Sequence, residues 1–306
     1  KALRAALAGS FRFSTIGDTH VIGADGGMTA KAVHELADGQ RIESVLMRYA
    51  ARGSMSERTT ICISSQAGCA VACPFCATGQ AGFGRQLTPG EIVDQVLHWH
   101  RPPWNALGDA TRGHYNIVFM GMGEPLMNWK AVDPTLTILN DPRGFGIGAR
   151  HITVSTVGVL PGIIALGERK EQFRLAISIH APGDALRRTL MPINTKYPLA
   201  QVIEAARVFD RRVTFEYVML HGVNDAPEHA IQLAELARRC KAFVNLIPLH
   251  AGGAGNFTPT TPSDIAKFAR AVRAKGVEVA IRKSRGKDIS AACGQLRVER
   301  QRRRAP

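Results

Sequence analysis

The feature of this sequence that most constrains its fold is a regular alternation of short apolar segments with amphipathic ones. Tyr115–Met120 and Phe173–Ile179 are short and rich in apolar side chains, as buried strands are, whereas Pro89–His100 carries its apolar residues at helical spacing. Such strand–helix pairs recur about every thirty residues, which is typical of parallel strands joined by helices. The alternation therefore predicts an α/β fold with a helix-covered parallel sheet.

Seven strands and six helices are predicted in this part of the chain. The strands are Thr60–Ser64, Tyr115–Met120, His151–Ser155, Phe173–Ile179, Val213–Leu220, Phe243–Ile247 and Val277–Ile281. The helices are Pro89–His100, Trp129–Leu139, Leu160–Leu166, Leu199–Phe209, Glu228–Cys240 and Ser263–Lys275. Six strand–helix units and one extra strand are too few to close an eightfold barrel, so we expect a partial, open β/α barrel, with a doubly wound open sheet as the alternative. In both, functional residues belong at the carboxyl ends of the strands.

A small β-hairpin precedes the predicted barrel. Residues 29–35 and 41–46 show short apolar–polar alternation, and Asp38-Gly39 between them is a typical hairpin turn. Residues 48–58 are polar and are predicted as a loop. We expect this hairpin as an appendage on the amino-terminal side of the barrel.

The chain is thus expected to have three parts. Residues 1–58 form an amino-terminal region, in which residues 1–10 are predicted as the end of a helix. Residues 59–296 form the barrel core. Residues 297–306 form a basic tail that is poor in apolar side chains and suited to contact nucleic acid.

The charge of the chain points to an anionic partner. Lys and Arg total 39 and Asp and Glu total 25, which gives a net charge of +14 and a pI near 10.0. Such a charge attracts nucleic acid, although a basic surface that serves only solubility would give the same composition. With 45% apolar residues the chain is not a disordered protein, and no apolar run approaches the ~18 residues of a membrane span.

Three of the six cysteines lie close together. Cys69, Cys73 and Cys76 form a CxxxCxxC motif directly after the first predicted barrel strand, in a chain with no secretory signal, so a reducing, cytosolic setting is expected. Three thiolates can ligate three irons of a [4Fe–4S] cluster and leave one iron open for a substrate. Zinc is the alternative, but it needs a fourth ligand at a recognisable spacing, and Cys62 lies seven residues away on the preceding strand.

Six stretches of the sequence resemble those of a known family. They are CISSQAGCAVACPFCATGQAGF, FMGMGEPLMN, ITVSTVGV, LAISIHAP, NLIPL and GKDISAACGQL. The cysteine motif in its setting resembles the radical S-adenosylmethionine (SAM) superfamily, and the full set resembles the RlmN family of dual-specificity RNA methyltransferases, which act on carbon 2 of adenine. The resemblance extends from about residue 29 to residue 296. It implies a partial barrel of radical SAM type and a truncated form of the helical accessory domain with which the family begins.

The resemblance also implies cofactors, partners and a location. A [4Fe–4S] cluster and two SAM molecules per turnover would serve the methylation of 23S rRNA and tRNA in the cytoplasm, with no membrane involved. A reducing donor such as flavodoxin or ferredoxin would supply the electrons. Carbon-8 methylation, as in the related Cfr family, is the nearest alternative. A glycyl-radical activating enzyme and a zinc-stabilised RNA-binding module are alternatives from other classes.

Individual residues receive roles from the same resemblance. Cys69, Cys73 and Cys76 would hold the cluster. SAM would contact residues at or near the carboxyl ends of the strands, namely Gly123, Glu124, Ser155, Ser178, Ile179, His180 and Asn245. Taken alone, a glycine-rich turn after a strand is common and a lone histidine is more often structural, so these assignments rest on the resemblance.

Two further cysteines and one carboxylate complete the implied mechanism, which is needed because carbon 2 of adenine is a poor nucleophile. One SAM methylates Cys293, and a second is cleaved to a radical that takes a hydrogen atom from the S-methyl group. The carbon radical adds to adenine, and Glu43 accepts a proton. Cys62 then attacks the sulfur of Cys293, which releases the RNA and leaves a disulfide. A solvated hairpin residue is the alternative for Glu43, and Cys240 is expected to be a buried residue of an apolar helix.

Overall fold

The structure is a computed structural model that describes residues 3, 6, 14–51, 53, 56–104, 115–249 and 255–282. Twelve strands lie in these described ranges: β1 (Ile16–Ala24), β2 (Thr29–Leu36), β3 (Arg41–Tyr49), β4 (Arg58–Cys62), β5 (Gln66–Gly68), β6 (Phe83–Gln86), β7 (Tyr115–Phe119), β8 (Ile152–Thr156), β9 (Arg174–Ser178), β10 (Val213–Met219), β11 (Phe243–Pro248) and β12 (Val279–Ile281). Eight α-helices lie in them as well: α1 (Ala77–Gln80), α2 (Pro89–His100), α3 (Trp129–Asn140), α4 (Leu160–Glu168), α5 (Asp184–Leu190), α6 (Leu199–Val208), α7 (Pro227–Arg239) and α8 (Pro262–Ala274).

Ten of the strands form one sheet, in the order β1-β2-β3-β4-β7-β8-β9-β10-β11-β12. From β4 onwards neighbouring strands are parallel, and each crossover between them carries at least one helix. Six strand–helix units and one extra strand confirm the predicted α/β partial barrel. In the described ranges β12 does not pair with β1, so the barrel stays open.

The predicted β-hairpin is hydrogen-bonded to the barrel sheet. β2 and β3 pair antiparallel from Thr29↔Met47 to Glu35↔Arg41, as the alternation and the turn predict. β3 also pairs antiparallel with β4, so the hairpin continues the sheet. β1 pairs with the other edge of β2 and was not predicted, because its sequence IGDTHVIGA lacks a sustained alternation.

The predicted loop over residues 48–58 is wrong at both ends. β3 continues through Arg48 and Tyr49, and β4 begins at Arg58. The guanidinium carbon of Arg58 lies 4.4 Å from the centroid of the ring of Tyr49, its partner across the two strands. This cation–π contact favours strand pairing between residues whose polar composition alone indicates a loop.

The two faces of the barrel sheet differ because side chains alternate along each strand. On β7 and β8, Ile117, Phe119 and Val154 are buried in the core beneath the helices. Val118 and Ser155 point to the opposite face and are partly exposed. The interior of the open barrel is therefore the accessible face, and alternate residues of the strands reach it.

Four of the shortest elements are missing from the sequence-based prediction. β5 and β6 have three and four residues and form a separate two-stranded sheet, while α1 has four residues and α5 has seven. Segments this short carry too few repeats for hydrophobic periodicity to detect. The omission matters for the site, because β5 and β6 flank the cysteine motif and α5 carries Arg187.

Gly162 of α4 offers a test of the packing between this helix and the turn before α3. A Cβ at Gly162 would lie 2.5 Å from Leu126 Cβ, whereas a Cβ at Gly167 of the same helix would lie 3.7 Å from the nearest atom of Phe209. Alanine favours helix over glycine by about 1 kcal/mol, but overpacking costs about 1–3 kcal/mol. We therefore expect Gly162→Ala to lower the free energy of unfolding by about 1 kcal/mol. Gly167→Ala should leave it unchanged or raise it, and urea unfolding that showed equal effects would contradict this packing.

Candidate active site

The cysteine loop, residues 69–82, is closed at its base by the two-stranded sheet. β5 pairs with β6, and the amide of Cys69 donates a hydrogen bond to the carbonyl of Gly82 at 2.9 Å. Gly68 has a φ of +83°, and a Cβ at this position would collide with the Gly82 carbonyl. The closure therefore requires glycine, and it makes the loop leave and return at one point beyond the carboxyl end of β4.

The three thiols of this loop share one buried environment. Cys73 is buried in an apolar cluster, and Cys69 and Cys76 are half-buried against it. Burial raises the pKa of Cys69 to about 12, and it also raises the pKa of Cys73. Each of these pKa values is raised further by the charge of Cys76, so the thiols act on one another. None of these three thiols forms a disulfide with another described cysteine.

This donor set fits an iron–sulfur cluster. Among the described residues no three Cys, His, Asp or Glu side chains converge as the ligands of a single ion would. A [4Fe–4S] cluster makes a different demand, because each thiolate ligates its own iron. The buried hydroxyls of Ser65 and Thr78, on either side of the cysteine motif, have no hydrogen-bond partner in the described ranges. These two hydroxyls are thus available to a bound group. A bound group with positive charge would also offset the free-energy cost of burying thiolates.

Glu124 lies in the glycine-rich turn after β7. Its two carboxylate oxygens accept hydrogen bonds from the amides of Leu126, at 3.1 Å, and Val157, at 2.7 Å. Burial raises the pKa of Glu124 to about 7, although these hydrogen bonds oppose the shift. Glu124 in turn raises the pKa values of Cys69 and Cys73. The carboxylate therefore acts electrostatically on the cysteine loop and would favour a cationic ligand group there.

The glycines of this turn allow it to pack closely on the segment before the cysteine loop. Gly123 has a φ of +99°, and a Cβ there would lie 2.5 Å from Gln66 Cβ. A Cβ at Gly121 would lie 2.6 Å from Ser64 Oγ. The amide of Glu124 donates to Gln66 Oε1 at 2.8 Å. Close packing against Gln66 therefore explains why residue 123 is a glycine. The same packing fixes the position of Glu124 relative to the thiols of the cysteine loop.

The candidate residues on the later strands face the barrel interior. Ser155 is the fourth residue of β8, and Ser178 is the last residue of β9. Ser178, Glu216 and Asn245 are direct neighbours across β9, β10 and β11. Asn245 is the third residue of β11, so the expectation that it ends its strand is wrong. The pairing register of the parallel strands nevertheless brings it level with Ser178.

Glu216 was not predicted as a site residue. It is buried, it accepts a hydrogen bond from Asn245 Nδ2 at 2.9 Å, and burial raises its pKa. A charged residue in the middle of the apolar strand β10 was a visible signal of such a site. Its position on the inner face adds a buried carboxyl to the barrel interior.

His180 follows β9 and is held in one tautomer. Its φ of +55° lies in the left-handed region, which is uncommon for residues other than glycine. The amide of Val218 donates to Nδ1 at 3.0 Å, so the ring proton lies on Nε2. Burial lowers the pKa of His180 to about 3, and the charge of Arg187 lowers it as well, so the ring stays neutral. The ring meets Phe75 of the cysteine loop edge-on, with centroids 5.0 Å apart. The Ile179 side chain is buried in the main core, and its amide donates to the Glu216 carbonyl at 3.0 Å.

Cys62, Glu43 and Lys31 share the inner face of the sheet. Lys31 and Cys62 both lie directly opposite Val45, and Glu43 precedes Val45 by two residues. Lys31 Nζ lies 3.8 Å from Glu43 Oε2, and neither side chain is more than 3% exposed. The alternative of a solvated hairpin residue is therefore wrong for Glu43. Cys62 ends β4 and is buried, so a thiol and a buried ion pair lie on one face beside the cysteine loop.

Some predicted features lie outside the described residues. They are Cys293, the tail over residues 297–306 and nearly all of residues 1–10. No disulfide joins any of the described cysteines. Cys240 lies at the end of α7 and is half-buried against the main core.

Comparison with known proteins defines the class of this chain. The sequence model described as Radical SAM superfamily matches residues 63–234, more than half of the chain. The chain therefore belongs to the radical SAM superfamily. A crystal structure of a radical SAM methyltransferase from Sphaerobacter thermophilus is 44% identical and matches with a TM-score of 0.88 over 96% of this chain and 85% of that one. Streptococcus suis SuiB bound to S-adenosylmethionine shares the fold, with a TM-score of 0.54 at 14% identity over 72% of this chain and 50% of that one.

Curated relatives define the family more narrowly. A protein of Gemmatimonas aurantiaca named probable dual-specificity RNA methyltransferase RlmN is 63% identical over 100% of this chain and 81% of its own length. A protein of the same name from Geobacillus kaustophilus is 45% identical over 98% of this chain and 80% of its own length. Within the superfamily, the chain belongs to the RlmN family. In the described part of the chain, no helix has the length and apolar character needed to cross a membrane.

Glu124→Gln tests the electrostatics of the site through the pH dependence of stability. The pKa of Glu124 is about 7 in the folded protein and its usual value is 4.5, so the folded state binds this proton more tightly. Its contribution to stability is complete below about pH 4.5 and is lost as the pH rises through about 7. The quantity to measure, in cluster-free protein, is the free energy of unfolding of the wild type minus that of Glu124→Gln. We expect this difference to fall by up to ~3 kcal/mol between about pH 5 and 8.

Glu91→Gln is the matched control for that measurement. Burial opposes the shift, but hydrogen bonds from Arg85 hold the pKa of Glu91 below its usual value. Its contribution to stability is present above the unfolded pKa and lost only as the pH falls below it, so this variant should show a constant difference from the wild type between about pH 6 and 8. Parallel pH profiles for Glu124→Gln and Glu91→Gln in denaturant unfolding would contradict the assignment.

Proposed function

We propose that this chain is an RNA methyltransferase that methylates carbon 2 of an adenine in 23S rRNA and in tRNA through a methylated cysteine. The observation that carries the proposal is its 63% identity, over the whole chain, to a relative named as a dual-specificity RNA methyltransferase. The grouping of buried thiols, a buried carboxyl and a buried ion pair around one barrel interior supports it. The net charge of +14 suits an RNA substrate.

The cofactor residues divide into cluster ligands and SAM contacts. Cys69, Cys73 and Cys76 would hold a [4Fe–4S] cluster, which with SAM supplies one-electron chemistry able to activate a methyl group. Glu124, as a carboxylate, is suited to the ammonium group of SAM. The remaining contacts would come from the inner face and the strand ends, namely Gly123, Ser155, Ser178, Ile179, His180 and Asn245. Neutral His180 offers its Nε2–H as a donor, since Nδ1 already accepts from Val218.

The covalent chemistry would be shared by two thiols and a base. Cys293 accepts a methyl group and carries it to adenine. Glu43 accepts the proton released from the ring, and Lys31 supplies the counter-charge for its carboxylate inside the protein. Cys62, as the thiolate, attacks the sulfur of Cys293, so the carbon–sulfur bond to the modified adenine breaks, a disulfide forms, and the released methylene carbon takes up a proton to become the methyl group. Two SAM molecules are used in each turnover, one as methyl donor and one in the radical step.

The proposal includes the setting of the reaction. Reduction of the cluster requires a low-potential donor, and flavodoxin or ferredoxin is suited to the task. The disulfide left after each turnover has to be reduced, which is consistent with a cytoplasmic location. Methylation of carbon 8 of the same nucleotide is the alternative, and mass spectrometry of nucleosides from RNA treated with the enzyme distinguishes the two products.

Replacement of each loop cysteine tests the cluster. We expect Cys69→Ala, Cys73→Ala and Cys76→Ala each to lose the iron, because a loop with two thiolates no longer holds three of the four irons. Cys240→Ala is the matched control, since this half-buried thiol follows α7, packs against the main core and donates a hydrogen bond to the Ile203 carbonyl at 3.4 Å. Anaerobic iron and sulfide analysis measures retention. Wild-type iron content in any of the three loop variants would contradict the ligand assignment, and zinc in place of iron would favour the binding-module alternative.

Cys62→Ala and Cys293→Ala test the two-thiol mechanism, because both variants should be inactive for different reasons. Cys293→Ala removes the methyl acceptor, so no methyl group enters protein or RNA. Cys62→Ala keeps the acceptor but lacks the thiolate that releases the product, so a stable protein–RNA crosslink should accumulate. After RNase treatment, a denaturing gel should show a retarded band for Cys62→Ala and none for Cys293→Ala. Normal turnover by Cys62→Ala, or a crosslink formed without Cys293, would overturn the mechanism.

A further inference from the structure

Arg187 of α5 is a fully buried arginine that joins the carboxyl ends of two barrel strands. Its Nη2 donates to the carbonyl of Val157, just after β8, at 2.7 Å and to the carbonyl of Ser178, the last residue of β9, at 3.1 Å. Its Nε donates to the carbonyl of Ile179 at 3.2 Å, and its Nη1 donates to Asn194 Oδ1. The guanidinium thus clamps the backbone from which Ser178, Ile179 and His180 are presented.

The charge of this guanidinium is not balanced by a direct ion pair. Its acceptors are three backbone carbonyls and one side-chain amide, and no carboxylate in the described ranges forms a salt bridge with it. Asp184, on the same helix, accepts instead from Asn194 Nδ2 at 2.7 Å and from the Leu199 amide at 2.8 Å. Burial accordingly lowers the pKa of Arg187 to about 10. A buried cation of this kind leaves a positive potential in its surroundings that an anion can use.

The residues around Arg187 belong to the apolar cluster that holds the loop cysteines. Cys73 packs in one apolar cluster with Leu190 and Met191, which follow Arg187 by one turn of α5. Val157, whose carbonyl accepts from Arg187, packs against the same cluster, as do Cys69 and Cys76. The edge contact of His180 with Phe75 connects the strand end clamped by Arg187 to the same loop.

We propose that Arg187 is a positioning residue for the iron–sulfur site, which clamps the ends of β8 and β9 and supplies the positive charge that makes a cluster on Cys73 easier to reduce. The inference rests on the proposed function, because it requires a cluster on the loop cysteines. Addition of one electron to the cluster increases its negative charge, and a buried cation nearby stabilises that state. The electron comes from a low-potential reductant, and no bond in the protein changes.

Two variants separate the charge of Arg187 from its hydrogen bonds. Arg187→Gln keeps N–H donors for the carbonyls but removes the charge, whereas Arg187→Lys keeps the charge but loses the guanidinium fork. Arg188→Gln is the matched control, since it removes an exposed charge from the next position of the same helix. The reduction potential of the cluster in the whole, cluster-loaded protein is measured by redox titration with electron paramagnetic resonance, together with iron content and thermal unfolding.

We expect Arg187→Gln to lower the equilibrium constant for one-electron reduction by about tenfold, which is ~59 mV. Arg187→Lys and Arg188→Gln should stay within about threefold of the wild type, even though both Arg187 variants unfold at lower temperature. A wild-type potential in Arg187→Gln would overturn the proposal, because the charge would then have no effect on the cluster. An equal shift in Arg187→Lys, or loss of iron from both Arg187 variants, would also overturn it, because the lost contacts and not the lost charge would then explain the effect. A wild-type protein that holds no reducible cluster would overturn the proposed function itself, and this inference with it.

Discussion

Successive side chains of a strand point to opposite faces of the sheet, and the division of this chain into a packed exterior and a polar interior depends on that alternation. On β9, Leu175 and Ile177 pack beneath the helices, while Ser178 faces the interior. On β10, Phe215 is part of the core, while Glu216 lies beside Ser178 and Asn245. A shift of register by one residue would exchange the two sets. Apolar packing on the outside therefore fixes the polar side chains on the inside.

The interior groups are buried, so their charges have to be balanced within the protein. Lys31 and Glu43 meet across β2 and β3, and removal of either partner would leave a buried charge. The carboxylate of Glu124 accepts from two backbone amides, and His180 stays neutral because burial and the charge of Arg187 lower its pKa. Arg187 is satisfied by carbonyls without a direct counter-charge. The site therefore consists of polar groups whose hydrogen bonds are largely met internally, while its balance of charge is open to a ligand.

The sequence was sufficient to predict the barrel, but not to predict which groups contact the buried charges. Strand–helix alternation predicted the seven parallel strands, and α2 agrees with its prediction to the residue because Thr88 and Glu91 form a capping box at its start. The cysteine motif could be predicted because its three cysteines are neighbours in the chain. The Lys31–Glu43 pair joins two strands, and the bond between Arg187 and the Val157 carbonyl joins residues 30 positions apart. No spacing rule indicates such contacts, and the short helix that carries Arg187 has too few turns to be detected.

The ionisable groups nearest the cysteine loop favour their neutral forms until a ligand is present. Burial raises the pKa values of Cys69, Cys73 and Glu124, so each of these groups holds its proton more tightly than in water. In the proposed function, thiolate ligation and the binding of an ammonium group would both require those protons to leave, so binding would be coupled to proton release and would strengthen as the pH rises. The same binding energy adds to the stability of the folded chain, because the unfolded chain has no such site. Burial thus has two linked effects here: it disfavours the charged forms of these groups, and in the proposed function it would favour a cationic cofactor beside them.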